Sequence, residues 1–274
     1  MLENAYGRSK QEGRKLFEDW AKKNKTQFTA LIIPNVFGPF GNPYYNSVVA
    51  TFCHQLTHNE KPQIHTDGKL KLIYISELTQ EFHKLINQRR LSQKEDIINI
   101  NIPHTSEIKV SEILCILEDF KAEYFEKGIF PDLNDRLKLR LFNTFVCYID
   151  HKNYYPVKLN LNTDDRGSFV ETVKLNSGGQ VSFSTTKPGI TRGNHFHTRK
   201  AERFAVIKGK ARIQLRRIGT NESLNFDLDG EKPGYVDMPI WYTHNITNTG
   251  NKDLLTIFWI NEYFNPDDPD TYSK

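Results

Sequence analysis

Apolar residues follow a helical period mixed with short apolar runs over the first half of the chain, and alternate with polar residues over the second. Tyr6 to Lys25 carries Leu16, Phe17 and Trp20 at helical spacing among charges, which predicts an amphipathic helix. The run FTALII, Phe28 to Ile33, predicts a short buried parallel strand. PNVFGPFGNP, Pro34 to Pro43, reads as a loop. A helix is expected over Tyr45 to His58, and a pair of short strands around the tight-turn dipeptide Asp67-Gly68. Ser76 to Arg90 reads as a helix with Ser76 as N-cap, IININI from Ile97 to Ile102 as a strand, and Ser106 to Phe125 as a helix. Residues 126 to 150 form a connection, broken at Pro131-Asp132 and carrying an amphipathic helix around Asp135 to Phe145. Beyond it Tyr155 to Leu161 opens a region of period two: ARIQLRRI, YVDMP and LLTIFWI. The pattern predicts an α/β domain over 1–150 and an all-β domain over 151–274.

Composition narrows the class. The 274 residues carry a formal net charge of +4, mild and dispersed, which fits a protein handling an anionic small molecule and does not call for nucleic acid. The basic run Arg136, Lys138, Arg140 reads as one solvated helix face. Cys53, Cys115 and Cys147 are isolated and lack C-x-x-C spacing, as expected of thiols in a reducing cytosol. Met1 to Lys15 is too polar for a signal peptide, and no window is apolar enough to insert in a membrane. A cytoplasmic location is expected.

The densest chemistry lies between Gly189 and Gly209. His195 and His197 are two apart and share a face if they lie on a strand, and Glu202 follows a short polar turn. A returning strand, Arg203 to Lys208, brings the carboxylate back beside the imidazoles. Two imidazoles and a carboxylate make a first-row metal site, with Zn2+ or Fe2+ both plausible, and His244 in PIWYTHNITN is the candidate fourth ligand. These segments resemble the paired motifs of the cupin family. Gly189, His195, His197, Glu202 and Gly209 match G-x5-H-x-H-x4-E-x6-G position for position, and Pro239, His244 and Asn248 fit the second motif. Trp241 stands where that motif has a glycine, and Gly234 lies one residue closer to the proline than the pattern asks. The resemblance implies a double-stranded β-barrel with the metal at its mouth.

In the first half, Tyr6 and Lys10 are four apart, on one face of the expected helix. An ammonium beside a phenol favours proton transfer at a carbonyl or alcohol. The Y-x-x-x-K pair, followed by a strand and PNVFGP, resembles the extended short-chain dehydrogenase/reductase family. That resemblance implies Tyr6 as acid/base, Lys10 on the nicotinamide ribose of NADPH, and Pro34 and Asn35 lining the nicotinamide and sugar-nucleotide pocket. No glycine-rich turn follows a strand, and the Ser/Thr that precedes the tyrosine in that family is missing. The expectation is an incomplete reductase half lacking roughly its first hundred residues, or one completed by a companion N-terminal fragment.

The segment DRGSFVE and the RGNH stretch supply Arg166 and Arg192, suited to a diphosphate. Together with the two domains, they resemble cupins acting on nucleotide-activated keto-sugars, and in particular the capsular-polysaccharide enzymes that fuse such a reductase to a C-terminal cupin. The resemblance implies a UDP-linked 2-acetamido-2,6-dideoxy-4-hexulose as substrate, C3 epimerisation in the cupin, C4 ketone reduction with NADPH in the full-length family, and a homodimer. The product route is that of UDP-N-acetyl-L-fucosamine. Lys200, Tyr242 and His151 are the candidate bases for C3. Two other readings fit: a metal-free keto-sugar isomerase using the histidines as acid/base, and a non-catalytic remnant serving as a dimerisation module.

Overall fold

The computed structural model describes residues 5–92, 97–165 and 167–273, and for 90–92 the backbone only. In chain order it runs α1 (Ala5–Lys23), β1 (Phe28–Ile32), β2 (Asn35–Phe37), α2 (Val48–Thr57), β3 (Lys69–Tyr74), α3 (Ile75–Ser92), β4 (Ile97–Asn101), β5 (Ser106–Lys109) and α4 (Val110–Phe120). A π turn (Lys121–Phe125) leads to β6 (Ile129–Phe130), α5 (Arg136–Val146), α6 (His151–Tyr154), β7 (Val157–Lys158), β8 (Asn162–Asp164), β9 (Gly167–Phe169) and β10 (Lys174–Leu175). The remaining strands are β11 (Gln180–Thr186), β12 (Thr191–Phe196), β13 (Glu202–Lys208), β14 (Lys210–Arg217), β15 (Ser223–Asp229), β16 (Gly234–Met238), β17 (Tyr242–Asn248), β18 (Leu254–Ile260) and β19 (Tyr272–Ser273). The chain divides into two compact units, Met1–Phe37 with Thr66–Val110, and Gly38–His65 with Ser111–Lys274.

The first unit is mixed α/β. β1 pairs in parallel with β4, as the apolar runs predict, but it is not buried: among the described residues it has one neighbour, and Ile32 is 50% exposed. The expected loop after Pro34 begins with a strand instead, because Val36 and Phe37 pair in parallel with Ile73 and Tyr74 of β3. Asp67-Gly68 has a strand on its C-terminal side only, and β3 pairs with β2 and β5 rather than forming a local hairpin. β5 claims the first four residues expected to be helical, since Ser106–Lys109 satisfies its backbone against β3. α3 starts at Ile75, and Glu77 takes over the capping expected of Ser76, its Oε2 accepting the Tyr74 N–H at 3.1 Å. Ile73, Leu78 and Ile102 form a small core, whereas Leu16, Phe17 and Trp20 of α1 stay 71, 61 and 56% exposed.

The second unit opens with α2, shorter than expected, whose N-cap Ser47 accepts the Ala50 N–H at 3.2 Å. Asp135 caps α5 in the same way through Lys138 at 2.8 Å. Most of the unit is two five-stranded antiparallel sheets, ordered β11-β18-β13-β16-β7 and β15-β14-β17-β12-β19. Their inner faces share one core containing Val206, Ile213, Leu215, Phe226, Val236 and Ile246. Period-two alternation along β14 and β17 is what turns these residues inward. Among the described residues no strand pairing joins the two sheets into a closed barrel. No described helix is long and apolar enough to cross a membrane.

The outer face of the β13–β16 pair is also buried. Arg203 is 1% exposed and forms a two-pronged pair with Asp237, Nε to Oδ1 at 2.7 Å and the second nitrogen to Oδ2 at 2.8 Å. The Tyr124 hydroxyl donates to the same carboxylate at 2.7 Å, and the guanidinium lies 3.6 Å from the centroid of Tyr235. An aromatic layer of Phe120, Tyr124, Phe130, Phe142 and Trp259 covers it. Breaking a buried pair leaves an uncompensated charge, so Asp237→Ala is expected to cost about 3–5 kcal/mol. Adding Arg203→Met should recover much of that loss, both effects being read as shifts in urea midpoint.

His151, at the start of α6, is packed between the rings of Tyr155 and Tyr242, and neither ring nitrogen has a hydrogen-bond partner. Burial pushes its pKa down to about 4 from the ordinary 6.5. The unfolded chain therefore takes up this proton first, and stability falls as pH drops through that window. Between pH 7.5 and 5 the loss is expected to reach about 2 kcal/mol, and His151→Phe should remove it, measured as the difference between the two proteins in urea unfolding.

Candidate functional site

Three strands of the second unit bring His195, His197, Glu202 and His244 together, with one nitrogen or oxygen from each lying within 4.8 Å of the others. His195 is near the end of β12 and stands opposite His244 of β17 in the ladder. His197 lies one residue past the strand end, and Glu202 opens β13 in the other sheet. The sequence spacing thus corresponds to a strand end, a short turn and a strand start. Just before His195 the ladder bulges, and Gly193 has φ +99 with no room for a side chain: a Cβ would lie 2.8 Å from the His244 carbonyl oxygen. Trp241, where the related motif has glycine, keeps the glycine-like conformation at φ 62. Its N–H donates to the His197 carbonyl at 2.8 Å and its ring stacks on Phe196 at 5.7 Å, which holds a backbone that costs a non-glycine residue about 1–2 kcal/mol.

The cluster is dry. His197, Glu202 and His244 are buried and His195 is half-buried. Nδ1 of His197 faces the Asp270 carbonyl oxygen, and Nδ1 of His244 faces that of Tyr242 at 3.3 Å. A carbonyl oxygen only accepts, so each ring carries a proton on Nδ1, and while the ring is neutral its Nε2 lone pair turns inward. There the two lone pairs meet Glu202 Oε2, at 3.2 Å from His197 and 3.4 Å from His244, and none of the three atoms has a hydrogen-bond partner. Acceptors buried face to face repel unless positive charge sits among them. Burial works to raise the Glu202 carboxyl, but His197 and His244, once protonated toward it, outweigh burial and hold the group well below the usual carboxylate range. Burial, reinforced by His244 and His197, pushes His195 down to about 4. For His197, burial lowers the pKa, but the contact with Glu202 outweighs it and the net direction is upward. The donor set, three imidazole nitrogens and one carboxylate, fits a first-row divalent cation.

The other expected residues are more scattered. Tyr6 and Lys10 do share a face of α1, with Lys10 Nζ 5.4 Å from the Tyr6 ring centroid, but both are exposed, Tyr6 at 55%. Pro34 and Asn35 lie at the β1–β2 junction, Pro34 half-buried and Asn35 exposed, its Nδ2 donating to the Lys71 carbonyl at 3.4 Å. Arg192 is exposed on β12, and Arg166 lies outside the described residues. Of the three candidate bases, Lys200 is buried and donates to the Pro269 carbonyl, Tyr242 is 9% exposed, and His151 is packed in the core. The carbonyls of Asp270 and Tyr242 that orient the two rings leave no mark in the sequence, because any residue type provides them.

Two family models match the chain: the NAD dependent epimerase/dehydratase family over residues 2–101 and the polysaccharide biosynthesis C-terminal domain over 162–272. The UDP-2-acetamido-2,6-beta-L-arabino-hexul-4-ose reductase of Pseudomonas aeruginosa is 32% identical over 275 residues, covering 99% of this chain and 72% of the relative. The spore coat polysaccharide biosynthesis protein SpsL of Bacillus subtilis is 28% identical over 123 residues, 41% of this chain and 82% of that one. Among solved structures, the capsular polysaccharide assembling protein CapF from Staphylococcus aureus matches with a TM-score of 0.55 and 35% identity, over 99% of this chain and 73% of that one. The chain belongs to the CapF-like family of UDP-sugar reductases and capsular polysaccharide proteins, in which an epimerase/dehydratase module precedes a polysaccharide biosynthesis C-terminal domain.

Proposed function

We propose that the two-sheet unit is a metal cupin that epimerises C3 of a UDP-linked 2-acetamido-2,6-dideoxy-4-hexulose. The observation that carries this reading is the convergence of His197 Nε2, Glu202 Oε2 and His244 Nε2, three buried atoms without a hydrogen-bond partner. His195, His197, Glu202 and His244 would hold a Zn2+ or Fe2+ ion, which when bound supplies positive charge near an oxygen that becomes anionic. A C3 proton is acidic because the neighbouring C4 ketone accepts the charge as an enolate. Epimerisation removes that proton to a base on one face of the sugar and returns one from the other, so solvent hydrogen enters at C3. The walls around His197 and His244 exclude water and keep their Nδ1 protons on backbone carbonyls. Arg192, exposed on β12, and Arg166 are offered to the diphosphate.

The domain division of this reading is 1–150 for the reductase part and linker and 151–274 for the cupin. Tyr6 and Lys10 carry the family's acid/base pair, with Pro34 and Asn35 beside the nicotinamide. This sequence has no glycine-rich turn to hold the NADPH pyrophosphate, so C4 reduction calls for a further polypeptide segment. A homodimer belongs to the same reading. β11 is an edge strand of seven residues without charge or proline, and it exposes Val181 at 60% and Phe183 at 73%.

Two outcomes are expected. Incubated in D2O with the UDP-4-keto-6-deoxy sugar and no NADPH, the metal-loaded protein should incorporate deuterium at C3 by NMR, and His195→Ala should slow this about 100-fold or more. No exchange from a folded, metal-loaded sample would overturn the epimerase; exchange from a sample shown free of metal would favour an isomerase using the histidines as acid and base. Phe183→Lys should shift the protein from dimer to monomer on sizing chromatography while leaving it folded.

A further inference from the structure

The turn that joins β12 to β13 carries His197 at one end and Glu202 at the other, and a segment about seventy residues later in the chain is fastened across it. Asn261 Oδ1 accepts the Ala201 N–H at 2.9 Å. Arg199 reaches Glu262 at 3.1 Å and Asp268 at 3.0 Å, and the Lys200 ammonium donates to the Pro269 carbonyl. At the end of this strap stands Asp270, 2% exposed and at φ 42, with both its carboxylate and its carbonyl directed at the turn. The carboxylate accepts four donors: Thr198 Oγ1 at 2.6 Å and N–H at 3.1 Å on Oδ1, then the N–H groups of Arg199 at 3.0 Å and Lys200 at 3.1 Å on Oδ2. The carbonyl accepts from His197 Nδ1.

We infer that Asp270 is a positioning residue of the centre, acting on His197 and, through the turn, on Glu202. This rests on the metal reading above. The carbonyl fixes the tautomer of His197 and hence the direction of its Nε2 lone pair, in the way that outer partners of ligating histidines do elsewhere. The carboxylate holds Thr198, Arg199 and Lys200 in one conformation, which sets the separation between the His197 ring and the Glu202 carboxylate. Only an ionised carboxylate meets four donors with about four lone-pair sites. Asparagine offers one acceptor oxygen and would turn an NH2 group toward N–H donors. The buried Asp270 carboxylate therefore belongs to the site's geometry, although it is no ligand.

The test reads the ring and the metal rather than turnover. In long-range 1H–15N spectra of the wild-type protein, recorded at a pH high enough that the ring is neutral, His197 is expected as the Nδ1–H tautomer with and without Zn2+. An Nε2–H or averaged tautomer overturns the inference, and this measurement stands even if no variant folds. Asp270→Asn and Asp270→Ala, checked for folding by circular dichroism, should bind Zn2+ about 10–100-fold more weakly against a competing chelator, with Ala the worse of the two, and should alter the visible spectrum of bound Co2+. Glu262→Gln, which loosens the outer part of the strap without touching Asp270, should leave both readouts within about threefold, far from the loss expected of an outer partner. Folded Asp270 variants with unchanged affinity and spectrum would show a plain structural clasp and sink the proposal. Wild-type protein that takes up neither ion fails at the metal reading itself, a result distinct from wild-type uptake that the variants leave intact.

Discussion

β13 is buried on both faces, and that constraint organises the second unit. Two consecutive charged residues, Glu202 and Arg203, must point to opposite sides of the strand, and neither side is wet. On the outer face the protein satisfies the charge itself: Arg203 receives both oxygens of Asp237, a hydroxyl joins the carboxylate, and aromatic rings close over the pair. On the inner face it does not. Glu202 meets two imidazole lone pairs, so the interior holds an excess of acceptors that the chain's own donors leave unmet. A buried arrangement that is electrostatically complete is architecture. One that leaves acceptors facing one another favours a positive charge among them.

The ligand-type residues come from both sheets, which ties the site to the packing of the whole unit. His195 and His244 belong to the sheet containing β12 and β17, His197 follows β12 directly, and Glu202 belongs to the other sheet. The shared core keeps the sheets at a fixed separation, so the distance between Glu202 and the histidines is set by Ile213, Val236 and their neighbours as much as by the turn. Trp241 illustrates the same dependence. The conformation that glycine would adopt freely is imposed on a tryptophan, and the stack on Phe196 and the bond to the His197 carbonyl turn that strain into a fixed approach for β17.

What could be read from the sequence was chemistry whose partners are close in the chain or alternate with a strict period. His195, His197 and Glu202 are legible because only seven positions separate the outer two, and period two announced β14, β16 and β18. What escaped depends on distant partners. SEIK became β5, and Val36 and Phe37 became part of β2, because β3 offered them a ladder that no local window contains. The last turn of the helix predicted to reach Phe125 widened into a π turn with Tyr124 buried at Asp237. Arg203 and Asp237 look like the solvent-facing half of an alternating strand, and only the layer formed by Phe130 and Phe142 reverses that reading. Asp270 sits in a polar stretch, NPDDPDTYSK, that reads as a tail until its fold-back is seen.

The two candidate chemistries differ in the property that makes catalysis by side chains effective. Proton transfer to a carbonyl gains from groups fixed in place and shielded from water, where their charges act at low dielectric. Tyr6 and Lys10 have the right spacing but stand on an exposed face of α1, where the ammonium is screened by solvent. The histidine–carboxylate cluster has the opposite character, with buried rings whose protons are held by backbone carbonyls and whose free lone pairs converge. Both sets are of residue types suited to moving a proton at a carbonyl. Preorganisation is present in only one of them, so it is in the two-sheet unit that the described residues are already arranged for chemistry.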